Sequence, residues 1–65
     1  MKKYFIARWI DCCSGGTIGN VSFFARSTTE AITKAERIGR EIGLPKSART
    51  IHRDNELVHN KAHGA

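Results

Sequence analysis

Carboxylates are scarce in this 65-residue chain: six Asp and Glu stand against eleven Lys and Arg, which leaves a formal net charge of +5. Such an imbalance reports on partners rather than on fold, and it points to something acidic. There is no run of about 18 apolar residues, so no segment can cross a membrane as a helix. Cysteine is limited to Cys12 and Cys13. Two adjacent cysteines make no disulfide framework, and a bridge between neighbours would be strained because its usual Cα separation is larger than theirs. Met1-Lys2-Lys3 ahead of Tyr4 to Ile10 has a faint signal-peptide look. However, Arg8 and Asp11 interrupt the apolar stretch and no small-residue cleavage site follows, so the segment reads as a strand. These absences predict a reducing cytoplasm, bacterial or that of an infected host cell. No repeat and no low-complexity tract divides the chain. Residues 1–65 therefore make a single small domain with little surface to bury. Apolar residues at 40% and charged residues at 26% are globular values.

What is present has a clear order. Tyr4 to Cys12 is rich in aromatic and β-branched residues, as strands are. Ser14-Gly15-Gly16-Thr17 is a turn cluster with two glycines able to take positive φ. Ile18 to Arg26 returns as a second strand. Ser27-Thr28-Thr29-Glu30 has the form of a capping box opening a helix to Glu41, in which Ser27 and Glu30 bond reciprocally. Ala31, Ala35, Ile38 and Ile42, with Ile32 beside them, make one apolar stripe. Gly43 suits the left-handed C-terminal cap, and Pro45 ends the helix. Arg49 to Arg53 forms a third strand, Asp54-Asn55 a two-residue turn, and Leu57-Val58 the anchor of a fourth. The polar tail 60–65 is expected to fray. The fold class is α+β: an antiparallel sheet of three or four strands with one helix on one face (ββαββ or ββαβ).

The excess charge lies outside the helix. Glu30, Glu36 and Glu41 balance Lys34, Arg37 and Arg40 there, and the spacing predicts pairs Glu30–Lys34, Glu36–Arg40 and Arg37–Glu41. The +5 therefore resides on the strands and turns. One helix covers one sheet face only. Yet β-type alternation leaves apolar groups at both parities of the first strand: Phe5, Ala7 and Trp9 one way, Tyr4, Ile6, Ile10 and Cys12 the other. The second strand repeats this, with Val21, Phe23 and Ala25 against Phe24. Which set the helix covers stays open at this level. Either choice leaves aromatic surface beside arginines, the mark of an interaction surface or a homodimer seam.

Chemistry of other kinds finds little support. Cys12, Cys13, His59 and His63 are a nominal zinc set, but adjacent strand cysteines point to opposite faces, and structural zinc pairs need two to four residues between them. A cysteine nucleophile would need His52 or His59 alongside, with an orienting group and an oxyanion site, and no local motif supplies these. Gly15-Gly16 joins two strands and lacks the strand-loop-helix context of a phosphate loop. The chain is read as non-enzymatic, without metal or cofactor. Direct nucleic-acid binding has more in its favour, since basic groups meet phosphates and Tyr4, Phe5, Trp9 or Phe24 can stack bases on a sheet. There is no helix-turn-helix pair, and the sequence signature of the four-stranded RNA-binding modules is missing.

Lys2-Lys3-Tyr4-Phe5-Ile6 opening a hairpin, and Ala25-Arg26-Ser27 leading to Glu30-Ala31, resemble small phage-encoded inhibitors. The layout is similar to that of the bacteriophage T7 inhibitor of host RNA polymerase. Ala35-Glu36-Arg37-Ile38 and Asp54-Asn55-Glu56-Leu57 more closely resemble short type I-F anti-CRISPR proteins of strand-strand-helix-strand-strand plan. That resemblance implies binding to backbone subunits of a CRISPR surveillance complex, through a basic pair in the helix. Arg37 stands at the second of those positions and Glu36 at the first; a surface pair with Glu41 is the competing role for Arg37. The expectation is thus a phage or mobile-element inhibitor that binds a host nucleic-acid-handling complex and blocks its nucleic-acid engagement. Arg8, Trp9, Phe24, Arg26, Arg37, Arg49 and Arg53 would form its contact surface, with aromatic anchors and steering arginines. The alternatives are a small DNA- or RNA-binding regulator acting directly, and a homodimeric interaction module.

Overall fold

The structure, a computed structural model, describes residues 1–11, 13–44 and 47–61. Expectations for Cys12, Pro45 and His63 lie outside the described residues. The elements run β1 (Lys3–Asp11), β2 (Thr17–Ala25), α1 (Thr28–Glu41), β3 (Ser47–Arg53) and β4 (Glu56–Lys61). All four strands form one antiparallel sheet in the order β2-β1-β3-β4. Because β1 is antiparallel to both neighbours, β2 and β3 run the same way on either side of it, joined through α1. That is a split β-α-β unit, with β1 inserted between the two parallel strands.

The turns fix the register. At the first hairpin the Asp11 amide donates to the Gly16 carbonyl at 2.8 Å, and the Gly15 amide donates to the Asp11 carbonyl at 3.0 Å. The Asp11 carboxylate accepts from the Ser14 hydroxyl at 2.8 Å and from its amide at 3.3 Å. Gly15 takes a φ of 74°, where a Cβ would be strained, and Gly16 does not share that left-handed conformation. At the second hairpin Asp54 and Asn55 have φ of 53° and 66°. Two successive left-handed residues make a type I′ turn, whose twist matches that of the flanking strands.

The helix has a defined start and stop. The Ser27 hydroxyl accepts from the Glu30 amide at 3.2 Å. Glu30 reaches back as expected, but to the Arg26 amide at 3.4 Å rather than to that of Ser27. At the other end Leu44 donates to the Gly39 carbonyl at 3.1 Å and Gly43 to that of Arg40 at 3.3 Å. With Gly43 at φ 70°, this is the Schellman arrangement.

Burial alternates along β1, with Phe5, Ala7 and Trp9 inside and Arg8 outside. These three join Ala25, Ile51, Ala31 and Ala35 in one core, with Val21, Phe23, Ile32, Ile38, Leu44 and Val58 packed against it. Phe5 stacks on its cross-strand partner Phe23 with centroids 6.3 Å apart. Phe5 and Ile51 are fully buried, each contributing about 1.5–3 kcal/mol of transfer free energy. The buried helix positions are Ala31, Ala35 and Gly39, a stripe of small residues at four-residue steps. A Cβ on Gly39 would lie 2.9 Å from Trp9 Nε1, so the helix backbone rests directly on the indole.

Several expectations are corrected. Ile42, assigned to the apolar stripe, is 56% exposed, because the Schellman turn carries it out of line and Leu44 packs instead. Glu36 pairs with Arg49 at 3.6 Å rather than with Arg40, so the helix charges are not self-contained. Glu30–Lys34 forms at 3.6 Å as expected, while no Arg37–Glu41 pair occurs among the described residues. Asn60 and Lys61, placed in the fraying tail, pair with Thr50 and Arg49.

Candidate binding face

The strand register sorts side chains into two faces, because directly opposed residues in an antiparallel ladder share one. Tyr4 lies opposite Phe24, and Ile6 sits between Ser22 and His52. Arg8 sits between Asn20 and Thr50. Across the β4 bulge, His52 faces Leu57 and Thr50 faces Asn60. None of these positions belongs to the buried core. They form the face opposite to that of Phe5, Ala7 and Trp9, and we call it the open face.

Its composition is informative. Phe24 is 56% exposed, Leu57 54% and Tyr4 46%. The Tyr4 and Phe24 rings pack against each other, with centroids 5.4 Å apart and planes at 58°. Such an edge-biased pair exposes ring faces as well as edges. Arg8 is exposed in the middle of this face, and none of the strand positions just named carries a carboxylate. Five of the acidic residues lie elsewhere, with Glu30, Glu36 and Glu41 on the helix, Asp11 at the first turn and Glu56 opposite Arg53, while Asp54 sits in the second turn at the edge of this face.

A depression of about 250 Å³ sits at one end of the open face, lined by Tyr4, Ile6, Arg8, His52, Asp54 and Asn55. Its floor is β1, one wall is β3, and its lip is the type I′ turn. Aromatic ring, aliphatic wall, guanidinium, imidazole, carboxylate and amide meet there.

The structure divides the expected contact residues. Arg8 and Phe24 lie on the open face. Arg26, just beyond β2, and Arg37, on the helix, are exposed but on other elements. Trp9 and Arg49 are each only 3% exposed, which corrects their assignment to a contact surface. They are opposed across β1 and β3 on the buried side, Trp9 beneath Gly39 and Arg49 beside Glu36. Arg53 has the parity of Phe5, its partner across the ladder, and so also lies off the open face. Ile6, His52, Asp54 and Asn55 were not among the expected contact residues, and Tyr4 was expected only as a ring that can stack bases. Their signal is the common parity of Tyr4, Ile6 and Arg8, which becomes usable once the buried parity is known.

Other chemistry remains unsupported. Among the described residues no group of three or more His, Cys, Asp or Glu is placed to hold a metal ion. Cys13 is exposed. No helix is long and apolar enough to cross a membrane. Two buried polar groups lack hydrogen-bond partners among the described residues, Arg49 (Nε and Nη2) and His59 (Nδ1). Both have the buried-face parity, since His59 opposes Ile51. No family model matches the chain, and neither a curated protein nor a solved structure matches it significantly.

Proposed function

We propose that the protein is a non-enzymatic binding module, and that its helix roofs the Phe5–Trp9 face so that the opposite face is left to work. The partner we infer is a host nucleic-acid-handling complex, with the protein acting as a phage or mobile-element inhibitor of the anti-CRISPR type. One observation carries the reading. Exposed aromatics, Tyr4 and Phe24, share a sheet face with Arg8, and the strand positions of that face carry no acid. Exposed apolar area of this kind marks an interaction site. Aromatic and arginine anchors are the residues that dominate interface energetics. The net charge of +5 steers such a face toward an acidic or RNA-laden assembly.

The test is functional. The protein, expressed in a bacterium with active type I-F CRISPR interference, should restore plaque formation by a targeted phage. Phe24→Ser and Arg8→Glu should abolish that restoration while leaving the circular dichroism spectrum unchanged. Unrestored plaques with the wild-type protein would sink the inhibitor reading. A second reading, direct binding of single-stranded nucleic acid, is favoured by the adjacent-strand placement of Tyr4 and Phe24, which is how sheet platforms stack bases.

A further inference from the structure

We infer that the depression beside the β3–β4 turn is a single-nucleotide pocket, which takes one base and its phosphate from an exposed single strand. The inference rests on the open face being the working surface, and it names what that surface touches in an RNA- or DNA-laden partner.

Four features of the pocket lead to this occupant. Tyr4 supplies a ring 46% exposed, held by Phe24 against its other flank, and Ile6 supplies an aliphatic floor. Base stacking needs a π-face that is accessible and kept from rotating, and the ring pair meets both needs. Arg8, next after Ile6 on the same strand face as Tyr4, adds a guanidinium to the lining of the depression. Its forked donors suit a phosphate bidentately. At the lip, Asp54 and Asn55 are held by the type I′ backbone, where they can read a base edge. His52 opposite Ile6 adds a second planar group on the neighbouring central strand.

Size narrows the occupant further. At about 250 Å³ the depression falls just under the usual range for ligand pockets, about 300–1,000 Å³, and it is too small for a dinucleotide cofactor. Charge narrows it again. Arg8 is the only Lys or Arg among the described lining residues, so one phosphate is matched and a second is not. Asp54 is an acceptor without donors of its own, so it favours a base with an exocyclic amino group, as carboxylates do with cytosine. An acidic peptide would use Arg8, but it would gain little from the Tyr4 ring or from Asp54.

Fluorescence anisotropy with short labelled homopolymers of deoxycytidine, cytidine and thymidine tests this. The expected order is cytidine-containing strands above thymidine, and the two cytidine arms separate RNA from DNA as the source. Tyr4→Ala should weaken binding about tenfold, in the range for loss of one stacked base. Arg8→Gln should lower the slope of log affinity against log salt by about 0.7, the release from one single-strand phosphate. Arg37→Gln, exposed on the helix, should weaken binding far less at matched net charge. Circular dichroism checks that each variant folds, and Arg8→Gln keeps the test alive should Tyr4→Ala not. Equal losses for Arg8→Gln and Arg37→Gln would overturn the pocket in favour of diffuse attraction, as would an oligoglutamate peptide binding as tightly as the strands. Absence of strand binding at low salt would also overturn it. In that case, a nuclease-treated CRISPR surveillance complex still captured by the wild type but not by Phe24→Ser would leave the inhibitor reading standing.

Discussion

The two faces of the sheet carry nearly the same aromatic content and have opposite fates. On one, Phe5 stacks on Phe23, Trp9 lies close to Gly39, and both Phe5 and Trp9 share a core cluster with Ala31 and Ala35. On the other, Tyr4 packs on Phe24 and the pair stays about half exposed among the described residues. The two ring pairs join adjacent residues on the same two strands. What separates them is parity alone, one residue of register. Hydrophobic character alone does not choose the core here; the buried parity is the one that clusters with Ala31 and Ala35. Gly39, in the same small-residue stripe, is where a Cβ would come within 2.9 Å of Trp9 Nε1.

Substitutions that treat matched residues on the two faces test this contrast, and the largest effect should come first. Phe5→Ala opens a cavity in a core that cannot collapse easily, at a cost of about 3–5 kcal/mol. For a domain this small that removes most of its stability, so thermal unfolding should shift below room temperature or vanish. Phe24→Ala, the same chemical change on the open face, should cost no more than about 1 kcal/mol, the worth of a cross-strand pair. Equal losses for the two would erase the distinction between the faces.

Gly39→Ala comes next. Alanine favours a helix interior by about 1 kcal/mol. Against that, its Cβ would press on the buried indole, and overpacking costs about 1–3 kcal/mol. Trp9 is only 3% exposed and has little room to shift, so net destabilisation should appear as a lower midpoint in urea. A raised midpoint would show that the helix does not rest on Trp9. Ser27→Ala removes one helix cap and should cost about 1 kcal/mol, read as a few degrees in melting temperature.

Arginine provides the smallest and most discriminating comparison. Arg49 is buried, and among the described residues its Nε and Nη2 make no hydrogen bond and its ion partner is the half-exposed Glu36 at 3.6 Å. Replacing such a group with an apolar one of similar size is often neutral or stabilising. Arg49→Met should therefore leave the melting temperature unchanged or raise it slightly. Arg8→Met on the open face should be just as silent in stability but should abolish partner binding. A clear loss of stability in Arg49→Met would mean that the Glu36 pair holds the helix more firmly than its geometry suggests.

Much of this architecture is legible in the chain, and the misses have specific causes. Turn chemistry and capping residues mark their elements within one or two positions, since Ser27, Gly43 and Asp54-Asn55 act through their own backbone. Even there the Glu30 carboxylate went one residue further back than the capping-box pattern implies. The covered face was not legible, because β1 is apolar at both parities and the register of one strand says nothing of what lies above it. Gly39 hid for a related reason. A glycine inside a helix reads as a weak point, and its purpose shows only when Trp9 is found against it. Arg49 was read as surface because arginine usually is, and its long stem and its pairing with Glu36 across elements have no local signature. Tyr4, Ile6 and His52 became a site only when the strand order placed β3 beside β1.

The chain holds one tryptophan and one tyrosine, and the split-parity sheet has sent them to opposite sides. Trp9 is buried close to Gly39 of the helix, and Tyr4 lines the depression. The molecule is thus labelled twice by its own sequence, without any dye. Indole emission, excited at long wavelength, follows whether the helix is docked. Phenol absorption, seen by difference spectroscopy, follows whether anything has settled on the open face. A titration that moves the second signal and leaves the first untouched has found a ligand; one that moves both has unfolded the protein.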